Sequence, residues 1–391
     1  MKRINLLYAG ALVALSFFQA SCNDSEKDLL KPKLYFESNV IKVEVEDDTY
    51  ECELVSRLSD MVKNDVNVTY QIGGQDLVDE YNQKHGTTGK LMSVGNYVMG
   101  ESASVIKAGD LYADACELSL KNISKGEDGV SYILPVVVNS SDIAKINATG
   151  VTFVVVKKPI IINKVYDINP TWLDVRLPDA FKKASTVTYE ALVYADRWKN
   201  LGTIMGNEGV LILRTGDLNH PDNELQVAGN VALQIPDVSI FQLNKWYHVA
   251  FTYDASSGMA TLYLNGEKIV DKTVGTQTFD LNERFCIGYA YDYDRSRRWY
   301  GYMSEVRLWT VARTANQIRE NMMYVDPKTD GLVGYWKLNG EDYEKRNDQW
   351  VVLDQSPHHN DATSNIGIRG ENPNTSQTFA EPTVVDMRVE L

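Results

Sequence analysis

The sequence predicts an all-β protein made of two successive sandwich units, and three observations predict it. Short runs alternate apolar and polar residues, as Ile41, Val43 and Val45 do against Lys42, Glu44 and Glu46. A period of two marks a strand with one wet face. Similar runs recur at Tyr50–Leu54, 66–70, Cys116–Leu120, 132–138 and 152–156, and short strands at this spacing suggest a sandwich. Later, Asn265-Gly266 separates Thr261–Leu264 from 267–270, and Asn-Gly suits the type I′ turn that joins two antiparallel strands.

The remaining elements follow in order. One short helical stretch is expected around Asp76 to Gln83. Residues 46–51 (Glu46-Asp47-Asp48-Thr49-Tyr50-Glu51) read as a solvated hairpin turn. Pro159 and Pro170 bracket a stiff segment, so the predicted organisation is a first unit at 34–157, a linker at 158–170 and a second unit at 171–391. In 246–253 both faces of the alternation carry large groups, which places that strand inside a two-sheet stack. Thr314 and Gln317 make a capping box, with Ile318 and Met322 one turn apart on a single face. A helix of this kind is expected to cover a sandwich edge.

Residues 1–21 have the layout of a secretory signal. Lys2 and Arg3 precede an apolar run from Leu6 to Phe18, and small residues Ala20 and Ser21 precede Cys22. That run is too short to cross a bilayer. A cysteine directly after the small pair is the acylation position of a lipoprotein, although Gln19 departs from the strict aliphatic pattern. The acidic tether at 22–33, opening Asn23-Asp24-Ser25-Glu26-Lys27-Asp28, resembles the surface-export signal of Bacteroidota lipoproteins. The implied location is the outer membrane, lipid-anchored at Cys22 and facing outward.

The full chain carries 39 Lys+Arg against 53 Asp+Glu, a net of −14. Loss of Lys2 and Arg3 with the signal takes the net to −16. Such a balance repels polyanions and argues against nucleic acid or anionic membrane as a partner. Cys52 and Cys116 fall on the apolar faces of their strands. They are read as two buried thiols; the alternative is a bond across the core, worth about 4 kcal/mol. The cysteines and five histidines show no metal-type spacing.

The second unit resembles a laminin-G-like, concanavalin-A-like jelly roll of the bacterial type. Thr188-Tyr189-Glu190-Ala191, Trp246-Tyr247-His248-Val249-Ala250, Leu262-Tyr263-Leu264-Asn265-Gly266 and the run from Gly301 to Trp309 carry the resemblance. Leu332 to Trp336 and Asp354-Gln355-Ser356 match its closing segments. The first unit resembles an Ig-like β-sandwich domain of unknown function found ahead of glycan-active or glycan-binding domains in Bacteroidota surface lipoproteins. Asp79-Glu80-Tyr81-Asn82, Ile106-Lys107-Ala108-Gly109 and Tyr132-Ile133-Leu134-Pro135-Val136 carry that one. The two together imply an accessory lipoprotein of a polysaccharide-utilisation system with a glycan ligand. A protein-binding adhesion module is the first alternative, because laminin-G-like folds bind proteins too, and a glycoside hydrolase is the second.

Catalysis on such a fold would need two facing carboxylates, set on one strand as Glu-x-Asp-x-x-Glu. Residues 171–391 contain no Glu-x-Asp pair. No nucleophile elbow or phosphate loop occurs either. His248 reads as a satisfied core histidine, and His358-His359 as an exposed loop. The richest segment is the one from Tyr289 to Tyr300. Within it Tyr291, Asp292, Tyr293, Asp294, Arg297 and Trp299 gather stackable rings and hydrogen-bonding charges, the two things a sugar requires. The other reading is a loop folded back on its own unit. Trp198, flanked by Arg197 and Lys199, is a second candidate, read either as a rim aromatic or as an edge plug. Asp217 to Glu224 offers oxygen ligands of the kind Ca²⁺ takes, but without convergent spacing it predicts no metal site, and no other cofactor is implied.

Overall fold

The computed structural model describes residues 31–391 apart from 236–240, 282–283, 292–294 and 367–377. The predicted signal, Cys22 and most of the tether therefore lie outside the described residues, as do Asp292, Tyr293 and Asp294. The chain divides into two compact units between Lys158 and Pro159, and both are β-sandwiches.

In the first unit Val40–Val43, Val151–Lys157, Ser131–Asn139, Val66–Ile72 and Ala103–Ile106 lie side by side in one sheet, with Lys90–Leu91 also paired to Ser131–Asn139. Tyr50–Leu54, Cys116–Leu120 and Tyr97–Met99 form a second sheet. Val68, Tyr70, Leu118, Leu134 and Val154 close the core between the sheets. The predicted helix is present as Gln75–His85, ended by Gly86 in the left-handed conformation at φ 66°, which glycine adopts without a Cβ penalty. Its Val78 and Tyr81 pack on Ile133. One expectation fails. Val40–Val43 runs parallel to Val151–Lys157, whereas Tyr50–Leu54 belongs to the other sheet. Residues 46–49 thus pass between sheets and close no hairpin. Alternation reports a strand's two faces and says nothing of its partner.

Cys52 and Cys116 are free thiols. Cys52 lies opposite Leu118 and Cys116 opposite Leu54, so the two sit diagonally on neighbouring strands. Burial, with Glu51 and Cys116 adding to it, pushes the Cys52 thiol up to about 11.

In the second unit one sheet runs in the order Glu267–Thr273, Met259–Leu264, Trp246–Asp254, Val187–Ala195, Gly301–Trp309, Lys164–Asp167, Thr383–Asp386. The facing sheet runs Leu233–Gln234, His220–Gly229, Leu211–Asp217, Gly202–Asn207, Phe285–Ile287, Trp172–Val175, Ala362–Ile366, Gln349–Val352, Tyr343–Arg346. Alternate residues meet between them. Tyr189, Val193, Val249 and Phe251 from the first pack on Leu213, Val227, Phe285 and Ile287 from the second. The Tyr189 and Phe285 rings meet edge-on at 5.4 Å. Asn265 and Gly266 have φ of 50° and 76°, as a type I′ turn demands.

The linker predicted at 158–170 is not one. Lys164–Asp167 pairs with both Gly301–Trp309 and Thr383–Asp386, with Tyr166 and Ile168 buried. Pro159 and Pro170 flank this strand and do not interrupt it, and four residues are too few for alternation to declare itself.

The outer face of the first of these sheets is sealed. Thr314 caps the Ala315–Glu320 helix, accepting from the Gln317 N–H while the Gln317 side chain accepts from the Thr314 N–H. Ile318 then packs on Ala250 and Tyr263. Beneath the helix lies a fully buried ion cluster. The Glu190 carboxylate takes Arg313 Nη1 at 2.7 Å and Arg307 Nη1 at 3.2 Å, with His248 Nε2 3.3 Å away. Arg307 also pairs with Glu305 and donates to the carbonyls of Asn321 and Met322, and Arg313 donates to that of Gln317. A bulge in Gly301–Trp309 puts Glu305 in the left-handed region at φ 53°, which turns its carboxylate toward Arg307 at a backbone cost of about 1–2 kcal/mol. Burial alone would raise the Glu190 pKa, but Arg313, His248 and Arg307 outweigh it and hold the carboxyl well below the usual range. Burial keeps His248 low against the pull of Glu190.

Truncating Glu190 to Ala would leave two buried guanidinium groups without their shared anion. Removal of one partner from a buried pair costs about 3–5 kcal/mol; a thermal melt should show that loss, and a loss below about 1 kcal/mol would contradict the cluster's role. The pH dependence has a definite sign. Glu190 has a depressed folded pKa, so its contribution is complete above its ordinary value of 4.5 and is lost as pH falls below it. His248, also depressed, adds a loss in the same direction below 6.5.

Candidate functional site

The outer face of the facing sheet has a different character. One row across it comprises Asp174, Cys286, Gly206, Ile212 and Ala228, each opposite the next in register. Gly206 is required there: at φ 122° an added Cβ would lie 2.3 Å from the Leu211 carbonyl oxygen. The neighbouring row is polar, with Thr203, Arg214 and Gln226 in register. Trp172 and Tyr289 close the apolar row edge-on at 5.6 Å.

In the Tyr289–Tyr300 segment, Tyr289 and Ala290 pack on this face with Trp172, Ile212 and Cys286. The Arg298 guanidinium stands 5.5 Å from the Tyr289 ring and donates to the carbonyls of Asn169 and Pro170, which fastens the segment to the sheet. Its next exposed part is a strip of alternating charge. Arg297 stacks 3.7 Å above the Tyr291 ring and lies 3.6 Å from Glu208. Glu208 is 3.8 Å from Arg214, which pairs with Asp217 at 2.8 Å. Burial works against ionisation of Asp217, but the Leu218 N–H and the Arg214 guanidinium hold it below the usual carboxylate range. His220 and Glu224, 3.0 Å apart, continue the strip. Arg214 and Glu224 are buried and hold the partly exposed Arg297, Glu208, Asp217 and His220, which present hydrogen-bonding edges in a set geometry beside the partly accessible Tyr291 ring.

The residues singled out from sequence divide three ways. Tyr291 and Arg297 come together on this strip. Trp299 does not join them: only 2 % exposed, it belongs to the sandwich core and donates its indole N–H to the Tyr194 carbonyl. That corrects its assignment as a ligand-stacking ring. Strand alternation begins again at Trp299, two residues before Gly301–Trp309, and turns it inward. Trp198 packs on Phe241 at 5.0 Å and on Trp299 at 6.2 Å, plugging the sandwich edge with part of the ring accessible. Asp292, Tyr293 and Asp294 lie outside the described residues.

Glu208, Arg214 and Asp217 were not singled out from sequence. The signal was available for Arg214, a charge directly after the apolar run Leu211-Ile212-Leu213 in the strand Leu211–Asp217. Within 217–224, Asp217 pairs with Arg214 and Glu224 with His220, and among the described residues no group of three His, Cys, Asp or Glu could hold a metal ion. Nor do the carboxyls with raised pKa face this strip. Glu305, Asp342 and Asp354 are buried and bonded to Tyr335, Tyr166 and Ser356 respectively, and the fourth, Asp167, is half-buried at the end of Lys164–Asp167 and accepts from the Asn169 N–H. Burial is the first cause of each upward shift.

Two packed sheets, one outer face sealed and the other bearing rings and paired charges, define a jelly-roll binding module. Residues 173–319 match the Concanavalin A-like lectin/glucanases superfamily (Laminin_G_3), and residues 30–145 match a family described as an N-terminal domain. A candidate carbohydrate-binding protein of Bacteroides ovatus, known from a crystal structure, is 37% identical, covering 90% of this chain and 99% of its own, with a TM-score of 0.59. The chain belongs to the same family as that protein, with a concanavalin A-like second unit. Two other solved structures align less closely. A SAP-like pentraxin of Limulus polyphemus is 15% identical over 52% of this chain and 96% of its own, TM-score 0.32. A sialidase of Trypanosoma rangeli is 18% identical over 37% of this chain and 24% of its own, TM-score 0.29. No curated protein matches the chain.

Proposed function

We propose that this chain is a carbohydrate-binding accessory protein of a polysaccharide-utilisation system, lipid-anchored at the cell surface, which holds saccharide without cleaving it. The family relationship to the Bacteroides ovatus protein is the observation that carries the carbohydrate reading. The Tyr291–Arg297–Glu208–Arg214–Asp217 strip is the surface assigned to it. A sugar's C–H face suits the accessible part of the Tyr291 ring, and its hydroxyls suit the fixed carboxylate and guanidinium edges. Binding without hydrolysis is supported by three of the four described carboxyls of raised pKa, Glu305, Asp342 and Asp354, being buried and bonded inside the fold.

An affinity gel cast with a panel of plant and host polysaccharides tests this reading. Retention by at least one is expected, and Tyr291→Ala should abolish it with stability unchanged within about 0.5 kcal/mol, as for other surface substitutions. Trp299→Ala serves as the contrast, a core truncation costing about 3–5 kcal/mol. Retention by none of the panel overturns the function, and retention that survives Tyr291→Ala overturns the site.

The anchor is a separate part of the proposal, motivated by Ala20-Ser21-Cys22 after the apolar run. Each buried acyl methylene contributes about 0.8 kcal/mol to membrane binding. Cys22→Ala should therefore move the protein to the soluble fraction and stop incorporation of labelled palmitate. Continued incorporation would refute acylation at Cys22.

A further inference from the structure

The first unit contains a cavity of about 580 Å³ at the end of its sandwich, within the size range of small-ligand sites. The Lys90–Leu91 strand of one sheet borders it, and Leu120, the last residue of the Cys116–Leu120 strand in the other, completes that wall. Buried Met92, Leu120, Ile123 and Val156 make an apolar floor, with the Tyr132 ring half-buried beside them. Four lysines ring it, Lys90, Lys121, Lys125 and Lys158, against a single lining carboxylate, Glu127. In a chain of net charge −14 this is a local reversal of sign.

The cations are only partly neutralised. Lys90 pairs with Glu127 and Lys158 with Asp128, each at 2.9 Å. The Lys125 ammonium donates to the neutral amide oxygen of Asn122 at 2.7 Å and lies within electrostatic reach of Asp48 without a direct ion pair, and the Lys121 ammonium has no ion pair among the described residues. Asn122 itself is held in the left-handed region at φ 56°. That conformation carries its amide to Asn96 at 3.2 Å, so two side-chain amides stand on the rim between the lysines.

From this we infer that the first unit carries a second binding site, for an acidic saccharide unit bearing a carboxylate or a sulfate ester. The oxyanion pairs with Lys121 and Lys125, the sugar's C–H face lies on Tyr132, and its hydroxyls bond the amides of Asn96 and Asn122. A compact pocket with an apolar floor suits a single ring better than an extended polyanion, which the acidic remainder of the chain repels. The site is independent of the jelly-roll strip and stands or falls apart from it.

The test is calorimetric titration of the full chain with three oligosaccharides of equal length: an oligogalacturonate, a heparin-derived sulfated oligomer and a neutral galactan. Binding of one or both acidic probes is expected, weakening as salt is raised from 50 to 500 mM, because exposed charges are screened within about a Debye length. The uronate and sulfate arms tell the two oxyanion sources apart. The double variant Lys121→Glu, Lys125→Glu should weaken that binding at least tenfold with the melting temperature unchanged, both side chains being exposed. Tyr291→Ala should leave it intact, which separates this site from the jelly-roll strip. Absence of binding by both acidic probes, or binding that survives the double lysine variant, would overturn the inference.

Discussion

The second unit depends on one buried carboxylate. Glu190 stands at the middle of a central strand on the side facing away from the core, a position that would ordinarily be wet. Two arginines and a histidine converge on it, and those arginines also take the carbonyls of the segment from Gln317 to Met322. The cluster thereby pins the capped helix to the sheet: Arg313 shares the Gln317 carbonyl with the Asn321 side chain, and Arg307 takes the carbonyls of Asn321 and Met322 just past the helix end. A desolvated ion group of this kind contributes little net stability against a well-packed apolar alternative, but breaking it is costly. Its structural consequence is that one outer face of the jelly roll is closed.

Closure of that face leaves the other as the one proposed to bind. There the charges are arranged differently: Arg297, Glu208, Arg214 and Asp217 form a chain in which buried Arg214 links the partly exposed others, each held by the next. Buried charges fix the fold, and half-buried charges of the same types make a preorganised recognition edge, because fixed geometry lowers the ordering cost of binding. The Tyr289–Tyr300 segment serves both ends. Its buried rings, Tyr289 and Trp299, anchor it on either side of the sheet, and Tyr291 remains accessible between them.

Much of the fold was legible because local chemistry declared it. Asn265-Gly266 could hardly be anything but a tight hairpin, and Thr314 with Gln317 announced a helix start that the structure reproduces bond for bond. Strand identity was legible wherever alternation ran for five residues or more. Pairing was not, so residues 46–49 looked like a hairpin, and Lys164–Asp167 was hidden between two prolines. In the proposed site, aromatic composition singled out a segment but could not say which ring faced inward; Trp299 looks the same in sequence on either side of a sheet. Glu208, Arg214 and Asp217 are scattered charges until antiparallel pairing brings them into line. The lysine ring of the first unit is harder still to see, since Lys90, Lys121, Lys125 and Lys158 span most of that unit's second half and share only a cavity.

The central claim is that the two outer faces of the jelly roll divide the work, one sealed by the Glu190 cluster and the other edged by the partly exposed strip proposed to take saccharide. Hydrogen–deuterium exchange of the full chain, with and without a retained oligosaccharide, tests this division most directly. Exchange should slow across Gly202–Asn207, Leu211–Asp217 and the 289–291 and 296–298 segments on addition of saccharide, with 314–324 unaltered. Slowing confined to 314–324, with the open face unaltered, would contradict it.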